Sequence, residues 1–540
     1  MAFVRRKEPI RRIWKLIGIA KNSFVTRMKS MKRDLNQIAG KEFDLAIIGG
    51  GITGAGVALD ATLRGLKVVL LEKNDFASGT SGISSKLVHG GLRYLEHGEF
   101  PLVFEALQER GLLLKNASHL VGNLRFLLPV FQNARVPLWK WRIGLKLYDL
   151  LAIGCNPEAS KTLAPREWKS LSPAWKQKPL ACLQYMDAQM EDARLCLDVI
   201  HSAALQGATV ANHLEVSALD LFQGRVGRIE TRDLLTGERL ECGAKVVLNA
   251  TGPWCDNLRA MAQEGSAEQV KPTKGIHIVL PDWQLPHAML LLHPEDGRVF
   301  FVIPWMGRTV VGTTDTAFEG KPDEVVATQH EVDYLMRGVR HYLQLETGKE
   351  QVLQSFAGLR PLISSSSSPS DRSREFAIQE GKNGMFSVSG GKYTTYRSMA
   401  QKITNVICSR LGNQAKCQTK HHLLSGAYSV PRSYFYDSGQ MELKYQYGIT
   451  GEAALQLLNR YGTKAGLVAR YVKDHSSQHE KVLFDLPDLV GEFAYHKDHE
   501  MAMLERDFLY QRTRIGLLST SSNVAEAARK LTAVTTRAGV

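Results

Sequence analysis

The stretch Phe43–Asp75, FDLAIIGGGITGAGVALDATLRGLKVVLLEKND, constrains the fold more than any other part of the chain. The apolar run Leu45–Ile48 predicts a buried strand, Val57–Leu63 a helix, and Val68–Leu71 a second strand that closes on Glu72. Between the first strand and the helix, Gly49, Gly51 and Gly54 spell G-x-G-x-x-G. The three glycines permit, in turn, a tight turn, a close approach of backbone to a pyrophosphate, and a close contact of helix with strand. The helix N-terminus then faces the phosphates, and Glu72 accepts hydrogen bonds from a ribose. A glycine-rich turn in an ordinary α/β fold would need no acid at that place. The unit therefore predicts a bound dinucleotide. Only one such fingerprint is present, which argues against a second, nicotinamide-binding unit and for an electron acceptor other than NAD(P).

Two later segments follow the same grammar. AKVVLNATGPW (Ala244–Trp254) reads as a strand that breaks at Thr251-Gly252-Pro253. GMFSVSGGKYTTYRSMAQKITNVI (Gly384–Ile407) reads as strand, glycine turn and long helix. The second is not a P-loop, because Phe386 and Tyr393 stand where that motif needs Gly and Ser or Thr. A nucleotide fold that begins near residue 43 and ends near 390 has to carry a second domain as an insertion. Strand-like runs such as HIVL, RVFFVIPW and TVVGTTD place it at about 190–245 and 270–380, within a unit spanning 41–417. From 418 to 540 the pattern is helical without a fingerprint, which predicts an all-helical C-terminal cap.

The chain has 540 residues, 44% of them hydrophobic, and a net charge of +14. Eleven Lys/Arg against two acids fall within residues 1–40, so most of the excess is in this leader. A nucleic-acid-binding module would spread its basic and aromatic residues over the folded domain, so none is expected as a partner. In the leader, Ile10, Ile13, Trp14, Ile17, Phe24, Met28, Met31, Leu35 and Ile38 recur at helical spacing. Three readings stand open: a helix lying on anionic lipid, an arginine-rich transit peptide, and a solvated extension. Seven cysteines without a C-x-x-C pair suit a reducing compartment. No window has the composition of a spanning helix.

In order along the chain, the fingerprint segment, SSKLVHGGLRYLEHGEF, NATGPW, KGIHIVLP, FVIPWMGRTVVGTTDT, GLRPLI and SGGKYTTYR resemble the FAD-dependent, respiratory glycerol-3-phosphate dehydrogenase family from about residue 43 to 520. The resemblance implies an α/β fold: a Rossmann-type FAD-binding domain, an inserted antiparallel-sheet substrate domain and a helical C-terminal cap. It also implies oxidation of sn-glycerol 3-phosphate to dihydroxyacetone phosphate by hydride transfer to FAD, with electrons passed to a membrane quinone. The protein would then sit peripherally on the cytoplasmic side of a membrane, or on the mitochondrial inner membrane if the leader is a transit peptide. A homodimer is compatible with such a chain. The departures are Gly82-Ile83, where family members more often carry Ser and a polar or basic residue, the long leader, and the serine run Ser364–Ser370.

The resemblance assigns FAD contacts to Gly49, Gly51, Gly54, Glu72, Ser85, Lys86, Gly90, Gly91, Thr251, Gly252, Gly391 and Thr394. In this reading Gly90-Gly91 let backbone pass close to the isoalloxazine, and Arg93 and Tyr94 project toward the substrate. Arg360 joins Arg93 around the phosphate, where a planar fork can donate two hydrogen bonds, and Lys392 lies near the reacting carbon. His277 is the expected base for the C2 hydroxyl, because imidazole titrates near working pH, with His89 as the alternative. No metal is expected: HKDH (His496–His499) has metal-like spacing but lacks a third ligand. The rival chemistry is an amine or amino-acid oxidase of the same superfamily, passing electrons to oxygen. PLWKWRIGLKLYDLLA (Pro137–Ala152) reads either as a membrane-facing helix or as a partly buried one with snorkelling cations.

Overall fold

The structure is a computed structural model, and it describes residues 30–537 apart from 133, 172–174, 223, 265–267, 346–347, 349, 364–375 and 476–478. Leader residues 1–29 and the serine run lie outside the described residues.

The fingerprint folds as its pattern requires. Strand Glu42–Ile48 leads through the glycine turn into helix Ile52–Leu63 and then strand Val68–Leu71. Alternate residues of the two strands serve two cores. Leu45, Ile47, Val68 and Leu70 pack with Val57 and Ala58 of the helix and with Leu197 and Ile403. Ala46, Ile48, Val69 and Leu71 pack with Leu214, Val216, Leu219 and Ile229. Burial on both faces is why these strands read as continuous apolar runs. Around them the sheet runs Phe376–Glu380, Phe386–Gly390, Arg239–Asn249, Glu42–Ile48, Val68–Leu71, Thr209–Ala211. All neighbours are parallel except the first pair. The hairpin Leu214–Phe222 and Arg225–Asp233 continues antiparallel from Arg239–Gly243.

The second sheet is ten-stranded, and only one of its pairings, Ala288–Leu292 with Val121–Val130, is parallel. Strand Thr273–Leu280 lies between Arg308–Gly312 and Gln354–Arg360, so that His277 stands opposite Gly312 on one side and Phe356 on the other. Helix Gln329–Tyr342 covers one face of this sheet through Val332, Leu335, Met336 and Val339. A capping box starts that helix: the Thr328 side chain accepts from Glu331 N, and the Glu331 carboxylate accepts from Thr328 N at 3.0 Å.

Of the two stretches expected to form the insertion, 270–380 contributes five of the long strands of this second sheet, whereas 190–245 does not. The strands from Thr209 to Asn249 belong to the first sheet, because Thr209–Ala211 pairs with Val68–Leu71 and Arg239–Asn249 pairs with Glu42–Ile48. The antiparallel sheet instead draws on strands between Leu87 and Met190 and between Thr273 and Arg360. Strand-like hydrophobicity shows that a segment is a strand but not which sheet it joins. The leader boundary also moves. Met31 and Ile38 are buried, Met31 N donates to His499 O, and Arg33 pairs with Asp233 at 2.7 Å. Residues 30–40 thus belong to the folded body and contain a 3₁₀ turn, Leu35–Gln37, so none of the three readings of the leader applies to them.

From Arg432 onward the chain is helical and packs on the nucleotide-binding half. The contact is polar and buried. Helix Asp192–Leu205 carries Asp192, Arg194, Asp198 and His201, all buried, against Lys464, Glu500 and Arg514 from beyond residue 460. His496 of the HKDH run belongs to this seam, with Nδ1 2.6 Å from Glu500 and Nε2 2.7 Å from the Tyr461 hydroxyl.

Candidate active site

A cavity of about 490 Å³ opens at the carboxyl ends of the parallel strands, where Ile48, Leu71, Ala250 and Gly390 meet. This is where an open α/β sheet binds its ligand. Gly49 has φ +114°, and a Cβ there would come within 2.6 Å of Ala250 O. A side chain at Gly54 would run into the Gly49 carbonyl, so the helix can start this close to the turn only without one. Glu72 closes the far wall; its two oxygens accept from Gly50 N at 2.7 Å and Asn74 N at 2.8 Å. Burial pushes its carboxyl up, against the pull of those two N–H groups. A glycine-lined turn at a helix N-terminus, an acid beyond it and an apolar flank from Leu71 and Val216 fit the pyrophosphate, ribose and adenine of FAD.

At its other end the cavity gathers the groups expected at the substrate: His89, Tyr94, His277, Arg360 and Lys392 all line it. The segment Ser84–Lys86 is held by Asp192, whose Oδ2 accepts from Ser84 N at 3.0 Å and Ser84 Oγ at 2.8 Å. That places Ser85 Oγ 2.9 Å from His277 Nε2. The His277 ring stacks on Phe356 with centroids 5.0 Å apart. Burial first, then the charges of Lys86 and Arg360, push its imidazole down to about 3. It is therefore neutral at working pH, and titration near neutrality, the property that singled it out, does not hold. Arg360 donates to Asp315 Oδ1 at 3.0 Å, Thr313 Oγ1 at 2.9 Å and Thr314 O at 3.0 Å, which fixes its guanidinium at the cavity wall. Lys392 Nζ lies 3.6 Å from the centroid of the Tyr94 ring.

Ser85, Thr251, Gly252, Gly391 and Thr394 also line the cavity, together with Gly49, Gly51 and Glu72. The structure takes five expected residues out of it, the first of them Gly54, which sits one turn into the helix against the Gly49 carbonyl. Lys86 turns its fully buried ammonium to Asp192 Oδ2 at 2.6 Å and Gly82 O at 2.9 Å, between the Trp305 and Phe356 rings. Gly90 and Gly91 are glycines for packing: a side chain at Gly90 would meet Leu107 and the Tyr148 hydroxyl, and one at Gly91, with φ +82°, the Tyr94 ring. Arg93 is half-buried, is not part of the cavity wall, and makes no hydrogen bond or ion pair with the described residues. The departure at Gly82 has a reason of its own. A side chain there would strike Ala77 O, and the Gly82 carbonyl accepts from Lys86 and Arg514.

Sequence reasoning missed Ser81, whose hydroxyl accepts from Ile52 N at 2.9 Å and so caps the fingerprint helix, and Trp254, which lines the cavity. The scattered serines after the second strand, Ser78, Ser81, Ser84 and Ser85, were the available signal for the first. Asp192 was missed too, because what marks it is a set of partners about a hundred residues away.

Two family models account for most of the chain: "FAD dependent oxidoreductase" matches residues 44–397, and "C-terminal domain of alpha-glycerophosphate oxidase" matches 417–538. The mitochondrial glycerol-3-phosphate dehydrogenase of Arabidopsis thaliana is 37% identical over 515 residues, covering 90% of this chain and 81% of that one. The aerobic glycerol-3-phosphate dehydrogenase of Staphylococcus haemolyticus is 36% identical, covering 88% and 87%. Among solved structures, the Bacillus halodurans glycerol-3-phosphate dehydrogenase complexed with FAD superposes with a TM-score of 0.74 at 28% identity, covering 94% of this chain and 98% of that one. With its fingerprint cavity, antiparallel sheet and helical cap, the chain belongs to the FAD-dependent glycerol-3-phosphate dehydrogenase family.

Proposed function

We propose that the protein oxidises sn-glycerol 3-phosphate to dihydroxyacetone phosphate with FAD as its cofactor and a membrane quinone as the final electron acceptor. The observation that carries this is one cavity with a dinucleotide cradle at one end and Arg360, Lys392 and His277 at the other. FAD, when bound, supplies the hydride acceptor. The chain's own residues do the rest. Arg360, held by Asp315 and Thr313, presents a fixed positive charge to the phosphate monoester. Lys392, steadied on Tyr94, orients the C2 oxygen. His277, neutral and too weak a base to keep a proton, offers Nε2 to the C2 hydroxyl as hydride leaves, and the Ser85 hydroxyl beside it, also on the cavity wall, passes the proton onward. Binding energy from the phosphate positions the reacting carbon, so glycerol should turn over far more slowly than its phosphate.

Quinone as acceptor fits the single dinucleotide fingerprint and the relative named as aerobic. No helix among the described residues is long and apolar enough to cross a membrane; our reading has the protein meet the quinone pool peripherally, on an anionic lipid surface. Both a mitochondrial and a bacterial relative share this framework, which suits the inner mitochondrial membrane as well as a bacterial one.

Anaerobic addition of sn-glycerol 3-phosphate to the purified FAD-loaded protein should bleach the flavin absorption, and a quinone analogue added next should restore it. Flavin that stays oxidised, or kcat/KM for glycerol equal to that for its phosphate, would sink the substrate assignment. Reduced flavin that reacts with oxygen but not with quinone would move the protein to the oxidases.

A further inference from the structure

Helix Leu138–Leu151 has two apolar faces, and only one of them is accounted for by the fold. Leu145 and Tyr148 are buried, with Leu138, Trp141 and Leu151 packed beside them in the core under the antiparallel sheet. On the opposite face Trp139 is 64% exposed, Ile143 61% and Leu150 60%, and Ile153 just past the helix end is 68% exposed. These positions are four, seven and three apart, so they form one stripe along the helix. Phe100 and Phe104, at 43% and 50%, are exposed at the start of helix Phe100–Asn116, which packs on the same core through Val103 and Leu107; Lys140 Nζ lies 3.4 Å from Glu96 in the 3₁₀ turn that precedes that helix. Single exposed apolar residues need no explanation, but a contiguous set does.

The charges around the stripe indicate what covers it. Lys140, Arg142 and Lys146 fall on either side of it by helical spacing; Lys140 pairs with Glu96, Lys146 Nζ donates to Ser160 O at 2.8 Å and lies 3.6 Å from Asp149, and Arg142 is exposed with no ion pair among the described residues. The acid on the same helix, Asp149, is turned inward, where its carboxylate accepts from Ser160 N at 2.9 Å and Ser160 Oγ at 2.6 Å. The outer face thus presents an apolar ridge with tryptophan near one end and cations at its sides, without an acid in the stripe. An exposed apolar stripe on one helix face with tryptophan near its start and cations at its sides suits a plane of acyl chains under anionic headgroups.

We infer that this face of helix Leu138–Leu151, with Phe100 and Phe104, is the surface by which the folded body docks on an anionic lipid bilayer. The inference rests on the membrane-linked reading above and specifies where that contact is made. The helix is well placed to bear it, because its buried side is fastened to the catalytic half: the Tyr148 hydroxyl donates to Asp187 and accepts from Gly90 N at 2.9 Å.

The test is co-sedimentation of the full-length FAD-loaded protein with vesicles of phosphatidylcholine containing a quarter phosphatidylglycerol, and with phosphatidylcholine alone. The doubly substituted Ile143→Glu/Leu150→Glu protein should partition at least tenfold more weakly into the anionic vesicles. Arg142→Ser/Lys146→Ser should lose roughly fivefold per cation, mostly at low salt. Brominated acyl chains should quench a component of tryptophan fluorescence that is missing in Trp139→Phe. Turnover with a water-soluble dye acceptor should be unchanged in all of them, which separates loss of docking from loss of folding and from failure of the substrate assignment. Wild-type partitioning by the double glutamate variant would overturn the inference and assign binding to another segment, such as residues 1–29. Absence of vesicle binding by the wild-type protein would overturn it as well.

Discussion

His277 shows how much a residue's chemistry depends on what surrounds it. By composition it is an imidazole that titrates near neutrality; in the fold, burial and the nearby cations Lys86 and Arg360 bring it down to about 3. The sign of the consequence is clear. A base works only when unprotonated, and a lowered value keeps His277 unprotonated throughout the physiological range, so kcat/KM should not fall as pH drops from 8 to 5 on its account. A pH profile with an ascending limb near 6.5 that vanishes in His277→Asn would contradict this. Arg360→Lys should raise KM for sn-glycerol 3-phosphate about tenfold or more, since an ammonium cannot keep the bonds to Asp315 and Thr313 while also meeting a phosphate; steady-state kinetics with an unchanged KM would refute it. Arg93 and Tyr94 are adjacent in sequence, and sequence directed both at the substrate. The chain enters a 3₁₀ turn at Leu92–His97, where successive side chains diverge by about a third of a turn, and only Tyr94 reaches the cavity.

At the scale of an element, the loop that carries the HGG run is positioned from behind. Gly90 N donates to the Tyr148 hydroxyl at 2.9 Å, Tyr148 donates to Asp187, and Arg110 pairs with the same carboxylate at 2.5 Å, all of it buried. Tyr148→Phe removes the hydroxyl from that chain and leaves Asp187 a donor short. We expect a loss of about 1–3 kcal/mol in denaturant unfolding, with weaker retention of FAD. An unchanged midpoint would show that water replaces the hydroxyl. The sequence contained each of these residues but no local sign that they meet. The Gly-Gly pair was legible as a site of close approach, yet the approaching group turned out to be a side chain from a helix about 58 residues later. By contrast, the strand, glycine turn, helix and second strand of Phe43–Glu72 were legible almost residue by residue, because every contact that defines that unit is made within about thirty residues.

Over the whole molecule, the junction between the nucleotide-binding half and the helical cap is built from buried charge. Arg194 donates to Glu500 at 2.6 Å and to Asp198 at 3.1 Å, Lys464 reaches Asp198 at 3.1 Å, and Arg512 pairs with Asp75. Such pairs add little net stability over an apolar seam, but removal of one partner strands the other, at a cost of about 3–5 kcal/mol. Glu500→Gln should therefore loosen the cap by about that amount, seen as early protease cleavage between cap and body; wild-type resistance would refute it. Burial opposes ionisation of Glu500 and Asp198, but Arg194 with His496, and Lys464 with Arg194, outweigh it and hold both carboxyls well below the usual range. Groups lowered in the folded state contribute stability that is present above the unfolded value and lost as pH falls beneath it, so the cap should loosen below about pH 4. A melting temperature that does not fall between pH 5 and pH 3 would count against this. The sequence by itself determined the nucleotide-binding unit, the presence of a sheet insertion and a helical end, because those signals are short-range periodicities and motifs; the residues at the substrate end of the cavity were reached only through the family resemblance. Only the tertiary structure decided that the charged residues of helix Asp192–Leu205 lie inside, and that the strands from Thr209 to Asn249 belong to the first sheet. The reason is distance along the chain: Arg194 has its counter-charge 306 residues away, and no local pattern carries that information.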